Sequence, residues 1–384
     1  MKYCLKSLLA TAPFVIGTIY PHTTVAQQVQ HPFEFLAPLP NAQFVPPTTS
    51  VILRPGKKIT IERHELVERI HATGSISGKH SGHLVIADDG ETIIFTPDEP
   101  FVASEHVVVY VGEGIQVVDG DASSSLCYGF QISDSKELVD YYTMSQAQIE
   151  EELKGVPSVQ RADVQSSESK NFQHHISSTG LREFLPGDYP WYQSTQHQET
   201  GEGHLFVAPF RGFGANQVGM PYALILDNQG NPLFYRRVVG GAFDFKVQPK
   251  GTLTYFDNTQ ASQAYIEIDA TYKKIDEWTM KNGYGTDIHG LQLLANGHAL
   301  ITSYDFQRVD MSQYVDGGKT DAIVIGYIVQ EQDPSHNVLF EWRSWDHFKF
   351  TDATDDIDLT AGEIDYVHGN AVELDRDGNV MISS

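Results

Sequence analysis

A phrase repeated late in the chain constrains its fold more than any other feature. Asp287-Ile-His289-Gly-Leu-Gln-Leu-Leu-Ala-Asn296-Gly297 returns as Asp365-Tyr-Val-His368-Gly-Asn370-Ala-Val-Glu-Leu-Asp-Arg-Asp377-Gly378. Each copy runs from a histidine through an apolar run and a tight turn into a second apolar run, Ala299 to Thr302 and Val380 to Ile382. A hairpin that recurs in this way buries its apolar faces against neighbouring copies of itself. A histidine at a fixed place in each copy predicts several units aiming polar groups at one shared point, as β-propellers do at their axis.

Other hairpins keep the same rhythm. Ala223-Leu-Ile-Leu-Asp227 to Tyr235 is echoed by Tyr265-Ile-Glu-Ile-Asp269 to Trp278, and again by Ala322 to Trp342. Phe243-Asp-Phe-Lys-Val-Gln248-Pro-Lys-Gly251 to Tyr255 precedes the two histidine phrases. The steps from Asp227 to Asp269 and from Gly251 to Gly297 give a period in the forties, with about four strands in each period. Polar insertions at 304–320 and 345–361 stretch the later units. Residues 200–384 therefore read as about three propeller blades. The last strand, Val380-Met-Ile-Ser-Ser384, stops with the chain, and an open propeller would leave sheet edges exposed. The expectation is a partial propeller whose remaining blades lie in further sequence.

Residues 35–135 predict a small all-β domain. Short β-rich runs (Ser50 to Leu53, Lys58 to Ile61, Gly82 to Ile86, Thr92 to Thr96, His106 to Tyr110, Tyr128 to Ile132) alternate with turns such as Asp88-Asp-Gly90. This spacing suggests an immunoglobulin-like sandwich. His71, His80 and His83 lack the company of a metal site and are expected at the surface. Residues 136–195 read as a linker, polar from Pro157 to Ser178 with a short acidic helix at Gln146 to Leu153. Its His174-His175 pair is expected to be solvated. The fold class is thus all-β, with a sandwich followed by an incomplete propeller.

Residues 1–26 have the pattern of a secretory leader. Lys2 and Lys6 precede the apolar stretch Leu8 to Ile19, and Thr24-Val-Ala26 suits cleavage. The stretch is short and broken by Pro13, which argues against a membrane span. Cleavage would remove Cys4 and leave Cys127 alone, so no internal disulfide is expected. A net charge of −24 argues against a nucleic-acid partner. It also makes any basic pocket locally conspicuous.

The chain resembles the bacterial arylsulfate sulfotransferases over residues 35–384. The resemblance rests on Phe35-Leu-Ala-Pro-Leu-Pro40 to Ile52-Leu-Arg-Pro-Gly56, Pro221-Tyr-Ala-Leu-Ile-Leu-Asp227, Asp244-Phe-Lys246, Asp287-Ile-His289 and Asp365-Tyr-Val-His368-Gly-Asn370, in that order. It implies a periplasmic or secreted propeller, six blades in the family, which moves a sulfuryl group between phenols without a nucleotide sulfate donor. The resemblance implies that His289 and His368 line the axial pocket and contact the sulfate. An arginine after the next strand and a nucleophilic histidine in a later blade complete the family's site, and both would lie past Ser384. Activity of the chain as it stands is therefore left open, as is a homodimer.

The residue chemistry is compatible with that implication. Donors around the sulfuryl oxygens stabilise the charge that spreads over them in the transition state. A nearby acid helps the phenolate leave, and histidine can serve both purposes near neutral pH. Transfer through a histidine would give two steps and ping-pong kinetics. His368 and His289 are the catalytic candidates, with Asp365 and Asp287 orienting them. Asn370, Tyr366, Tyr284 and Tyr304 are the substrate-binding candidates, the tyrosines by stacking on a phenol ring, with Trp345 as a further aromatic. His298 is expected to be exposed, and Arg236 and Arg237 are expected in surface or interblade salt bridges. Glu277-Trp278 and Glu341-Trp342 look like packing repeats. No Cys/His cluster argues for a metal and no Gly-rich phosphate loop for a nucleotide, so neither metal nor cofactor is expected. The expected partners are a small phenolic sulfate and a phenol. The competing reading is a non-catalytic propeller that binds a ligand or mediates adhesion at the cell surface.

Overall fold

The computed structural model describes residues 33–120, 122–134, 201–209, 222–238, 241–258 and 263–384, together with 170–171, 185–186, 189–190, 192 and 194. Residues 1–26, read above as a leader, the segment at Gln146 to Leu153 read as an acidic helix, and His174-His175 lie outside the described residues. The described chain is all-β, built of antiparallel sheets of which none closes into a barrel. It divides into two compact units, Met1–Ser135 and Lys136–Ser384.

The first unit contains two four-stranded sheets. One has the order Phe35–Ala37, Val51–Arg54, Ile93–Pro97, Gly82–Ile86, and the other Gly78–His80, Ile70–Gly74, His106–Val111, Leu126–Gln131. Strict alternation explains the second sheet's central strand. In His106–Val111 the valines at 107, 109 and 111 are buried while the residues between them are half-exposed. Both sheets supply one core, which includes Leu53, Leu84 and Phe95 from the first and Ala72, Val109 and Phe130 from the second. Glu105 lies buried at the rim of this core. Burial pushes its carboxyl up, but donors from Ser77, Ile76 and Val102 outweigh that and hold it below the ordinary range. Sequence reasoning missed the strands Ile70–Gly74 and Gly78–His80 and the short helix Arg63–Arg69. Lys58 to Ile61 makes only a single bridge, Ile59 to Val117. His80 is not at the surface as expected. It is buried, with Nε2 2.6 Å from the Ser77 hydroxyl and Nδ1 3.1 Å from the Glu99 carbonyl.

The second unit is a succession of antiparallel sheets. Leu205–Val207, Tyr222–Leu226 and Pro232–Arg237 form the first, with Lys170–Asn171 from the linker region as its outer strand. Ala242–Val247, Leu253–Asp257, Ala264–Ile268 and Lys274–Trp278 form the second, in sequence order. The third contains Leu291–Leu293, Ala299–Val309, Ala322–Gln332 and Val338–Arg343, and Glu363–Asp365 adds to it parallel to Ala322–Gln332. A hairpin of Ala371–Leu374 and Val380–Ser383 follows.

The sheets stack face to face, and the period of two is what lets them do so. Leu253 and Tyr255 join a core shared with the first sheet, while Phe256, on the opposite face, joins the core shared with the third. Strands such as Leu253–Asp257 and Ala264–Ile268 are buried at every position because both faces are covered. Arg236 is buried between the first and second sheets, where it donates to the Tyr255 hydroxyl at 3.2 Å and to the Tyr272 carbonyl. It lies buried between two sheets rather than at the surface.

Candidate functional site

The segments that lead into the strands of the second unit carry the chemistry. In the third sheet the chain enters Leu291–Leu293 through Asp287 and His289. The Asp287 N–H donates to the Thr302 carbonyl at 3.0 Å, and the Asp287 carboxylate accepts from the His289 backbone N–H at 3.0 Å. The same carboxylate lies 3.0 Å from Nδ1 of the His289 ring. Asp287 is almost fully buried and His289 half-buried. The bond to Asp287 raises the His289 pKa above its ordinary value, outweighing the opposite effect of burial, and the charges of Asp287 and Asp244 add to the rise.

His368 has the same arrangement one hairpin later. Its Nδ1 lies 2.6 Å from the Asp365 carboxylate. Asp365 arrives at this place because Glu363–Asp365 pairs with Ile323 to Ile325 of the third sheet. The insertion before it thus returns the chain to the sheet edge. Gly369 has a packing reason: a Cβ there would meet the Tyr327 ring at 2.2 Å. In both pairs the carboxylate holds Nδ1, which fixes the ring orientation and tautomer.

Tyr304 ties the two histidines together. Its ring centroid is 6.0 Å from that of His289 and 5.9 Å from that of His368. Its hydroxyl donates to the Gly369 carbonyl at 2.6 Å. Behind it, the Tyr327 ring packs at 5.5 Å. Asn370 sits at the exposed side, with its amide 3.4 Å from the His368 carbonyl and its backbone N–H donating to Ser383. His289, His368, Tyr304, Asp287, Asp365 and Asn370 therefore belong to one locality.

Tyr284 and Tyr366 lie elsewhere, in the interior of the third sheet. The Tyr366 hydroxyl is 2.9 Å from the Ser344 hydroxyl and its ring packs on Trp345 and Phe350; burial pushes its pKa up to about 12. Tyr284 is buried beside Arg343, Glu341, Asp305 and Asp346. Arg343 is fully buried, 3.4 Å from Asp346. Burial raises the pKa of all three carboxylates around it, and the Arg343 charge pulls each back down. This cluster reads as internal structure. Trp345 belongs to it too, donating to Asp305 at 2.7 Å. His298 is not exposed as expected. It is buried with Nδ1 2.7 Å from Glu331.

Two kinds of residue were given no site role by the sequence reading, although Asp244-Phe-Lys246 was among the motifs it quoted. Lys246 stands to Asp244 as His289 stands to Asp287, and its ammonium lies 2.6 Å from that carboxylate. The shared Asp-x-cation spacing was the available signal. Gln248 and Gln292 each clasp a strand of the next sheet or hairpin. Gln248 accepts from the Leu293 N–H at 3.0 Å, and Gln292 accepts from the Leu374 N–H at 2.8 Å. Among the described residues, no group of three or more His, Cys, Asp or Glu could hold a metal ion, and no helix is long and apolar enough to cross a membrane.

Comparison with known proteins supplies the family. The model of the arylsulfotransferase (ASST) family matches residues 192–384, half of the chain, including every residue of the locality around Tyr304. The chain belongs to the arylsulfotransferase family. No curated protein matches it. Among solved structures, it is similar to the LD transpeptidase LdtMt1 in complex with imipenem at 14% identity and a TM-score of 0.20, covering 27% of this chain and 40% of that one. It is similar to CopC from Methylosinus trichosporium OB3b at 16% identity and a TM-score of 0.22, over 29% of this chain and 100% of that one. The S-layer protein rSbsC gives 10% identity and a TM-score of 0.22, over 77% of this chain and 45% of that one. Such low scores carry no argument about this arylsulfotransferase-family chain. The chain spans less than half the length of the transpeptidase and of the S-layer protein.

Proposed function

We propose that this protein transfers a sulfuryl group from an aryl sulfate to a phenol, by way of a histidine and without a nucleotide sulfate. The observation that supports this most directly is the paired geometry of His289 and His368, each held by a carboxylate and both packed on Tyr304. In the reaction, an imidazole nitrogen attacks sulfur, the S–N bond forms as the aryl S–O bond breaks, and the phenolate leaves with a proton. The acceptor phenol then attacks the same sulfur, its oxygen replaces the nitrogen, and its proton passes to the site. His368 and His289 donate to the sulfuryl oxygens as their charge grows, which is the largest single contribution in sites of this kind. Tyr304, and Asn370 at the open side, would face the phenol and the sulfate.

The consecutive antiparallel sheets of the second unit are proposed to be successive propeller blades. Their stacked cores and sequence-order pairing support that arrangement. The leader pattern supports a periplasmic or secreted location.

The test is turnover of a chromogenic aryl sulfate with a phenol acceptor and no nucleotide sulfate, followed by recovery of the sulfate on the acceptor. His368→Ala is expected to lower the rate by roughly 10²-fold or more if it donates to the transferring group. No transfer from any phenolic donor would refute the proposal.

A further inference from the structure

We propose that Lys246, held by Asp244, is a third cationic arm of this site and binds the sulfate of the donor. The inference rests on the aryl sulfate reading above and extends it to a residue outside the paired histidines.

Three observations carry it. First, three places along the second unit present the same device. A carboxylate grips a basic side chain in Asp244–Lys246, Asp287–His289 and Asp365–His368, at 2.6, 3.0 and 2.6 Å. Second, Asp244 reaches the neighbouring pair. The Leu291 amide pulls its carboxyl down against the larger effect of burial, and its charge is felt by His289, two residues from Leu291. Gln248, two residues beyond Lys246, clasps the same Leu291–Leu293 strand through the Leu293 N–H. Lys246, on Ala242–Val247, therefore sits close to the segment that leads from His289 into Leu291–Leu293 of the next sheet. Third, the backbone is strained where it aims this pair. Asp244 has φ 47° inside a strand, at a shift in register between Phe243 and Lys246. A left-handed residue without glycine's freedom, at a bulge, re-aims side chains and recurs beside functional sites.

The chemistry gives the arm a purpose. An aryl sulfate is an anion at every working pH, and this chain carries a net charge of −24. Histidines change charge between pH 5 and 8, whereas a lysine remains a cation through that range. A compact ammonium with three donors suits a tetrahedral oxyanion as a point charge. On arrival of the sulfate, the Lys246 ammonium would share its donors between Asp244 and a sulfuryl oxygen. The partly exposed side chain leaves room for that.

Calorimetric binding of phenyl sulfate and of phenol to the full chain tests the proposal independently of turnover. Lys246→Met is expected to weaken phenyl sulfate roughly ten- to a hundredfold, as loss of a hydrogen bond to a charged group does, and to leave phenol within twofold. Lys246→Arg should recover most of the loss. Because Lys246→Met strands a carboxylate, the double variant Asp244→Asn/Lys246→Met is measured beside it and should show the same selective loss. Unchanged phenyl sulfate binding in both variants would overturn the role of Lys246 while leaving the aryl sulfate reading intact. Absence of phenyl sulfate binding to the unaltered chain would overturn both.

Discussion

At the residue scale, the informative bond joins Asp287 to His289. It is a stability statement as well as a functional one. The folded-state pKa of His289 is raised, first by this bond and then by the charges of Asp287 and Asp244. The favourable interaction is therefore fully present below the ordinary histidine value of 6.5 and is lost as pH rises through the folded pKa. Asp287→Asn keeps the shape but removes the charge. It is expected to bring the His289 titration, followed by NMR of the ring protons, back down toward the ordinary value. A titration that stays where it was would show that Asp287 does not set the charge of His289. The sequence made much of this locality legible. The repeated phrase singled out both histidines and both carboxylates. Tyr304 could be suspected as an aromatic near them, but so could Tyr284 and Tyr366, because proximity in sequence does not say which face of a strand a ring takes. Asp244-Phe-Lys246 stood among the recurring motifs, but Lys246 was given no site role because it sits inside a strand, Ala242–Val247, rather than before one.

At the scale of the element, one hairpin turn recurs throughout the second unit. In six hairpins a first residue receives the N–H of the fourth and donates its own N–H to the fifth: Asp227, Gln248, Asp269, Leu294, Asp333 and Asp375. The fourth residue always has a left-handed φ, being Gly230, Gly251, Tyr272, Gly297, His336 and Gly378. This is the three-residue hairpin loop, a type I turn closed by a residue with positive φ. Tyr272 and His336 bear that strain for a reason. Tyr272 stacks on Phe234 of the preceding sheet at 4.2 Å, and His336 packs on Trp278 of the preceding sheet at 4.5 Å. Removing the ring loses an aromatic contact worth about 0.5–1.5 kcal/mol beyond its buried area. Tyr272→Ala suffers that loss and keeps the strain, whereas Tyr272→Gly loses the ring but relieves a left-handed cost of about 1–2 kcal/mol. Urea unfolding should therefore rank the glycine variant about 1 kcal/mol above the alanine variant, with the alanine variant below the unaltered protein. Equal stability of the two variants would show that the backbone at 272 is unstrained. The glycines at these turns were legible in the sequence. The hairpins turning at Asp269 and Asp333 were legible from their flanking strands, but Tyr272 and His336 did not announce the turn type, because their choice is made by the neighbouring sheet and not by the turn.

At the scale of the whole molecule, each unit has its own core. The core with Leu53, Val109 and Phe130 draws only on the first unit, and the stacked cores with Ile266, Phe256 and Leu291 draw only on the second. A chain of this kind unfolds as more than one cooperative unit, so one midpoint does not describe it. The tryptophans provide a way to separate the units, since Trp191, Trp278, Trp342 and Trp345 all fall in Lys136–Ser384. Leu53 is fully buried, and truncation of such a side chain costs about 2–5 kcal/mol. Mutations that share no partners act independently. Leu53→Ala is therefore expected to lower the unfolding midpoint seen by circular dichroism for the first unit and to leave the tryptophan fluorescence midpoint in place. Ile266→Ala, in the core between the first and second sheets, should do the reverse and shift the fluorescence transition. If Leu53→Ala moved the fluorescence transition as far as the dichroism one, the two cores would be melting together, and the division into two independently stable units would fail.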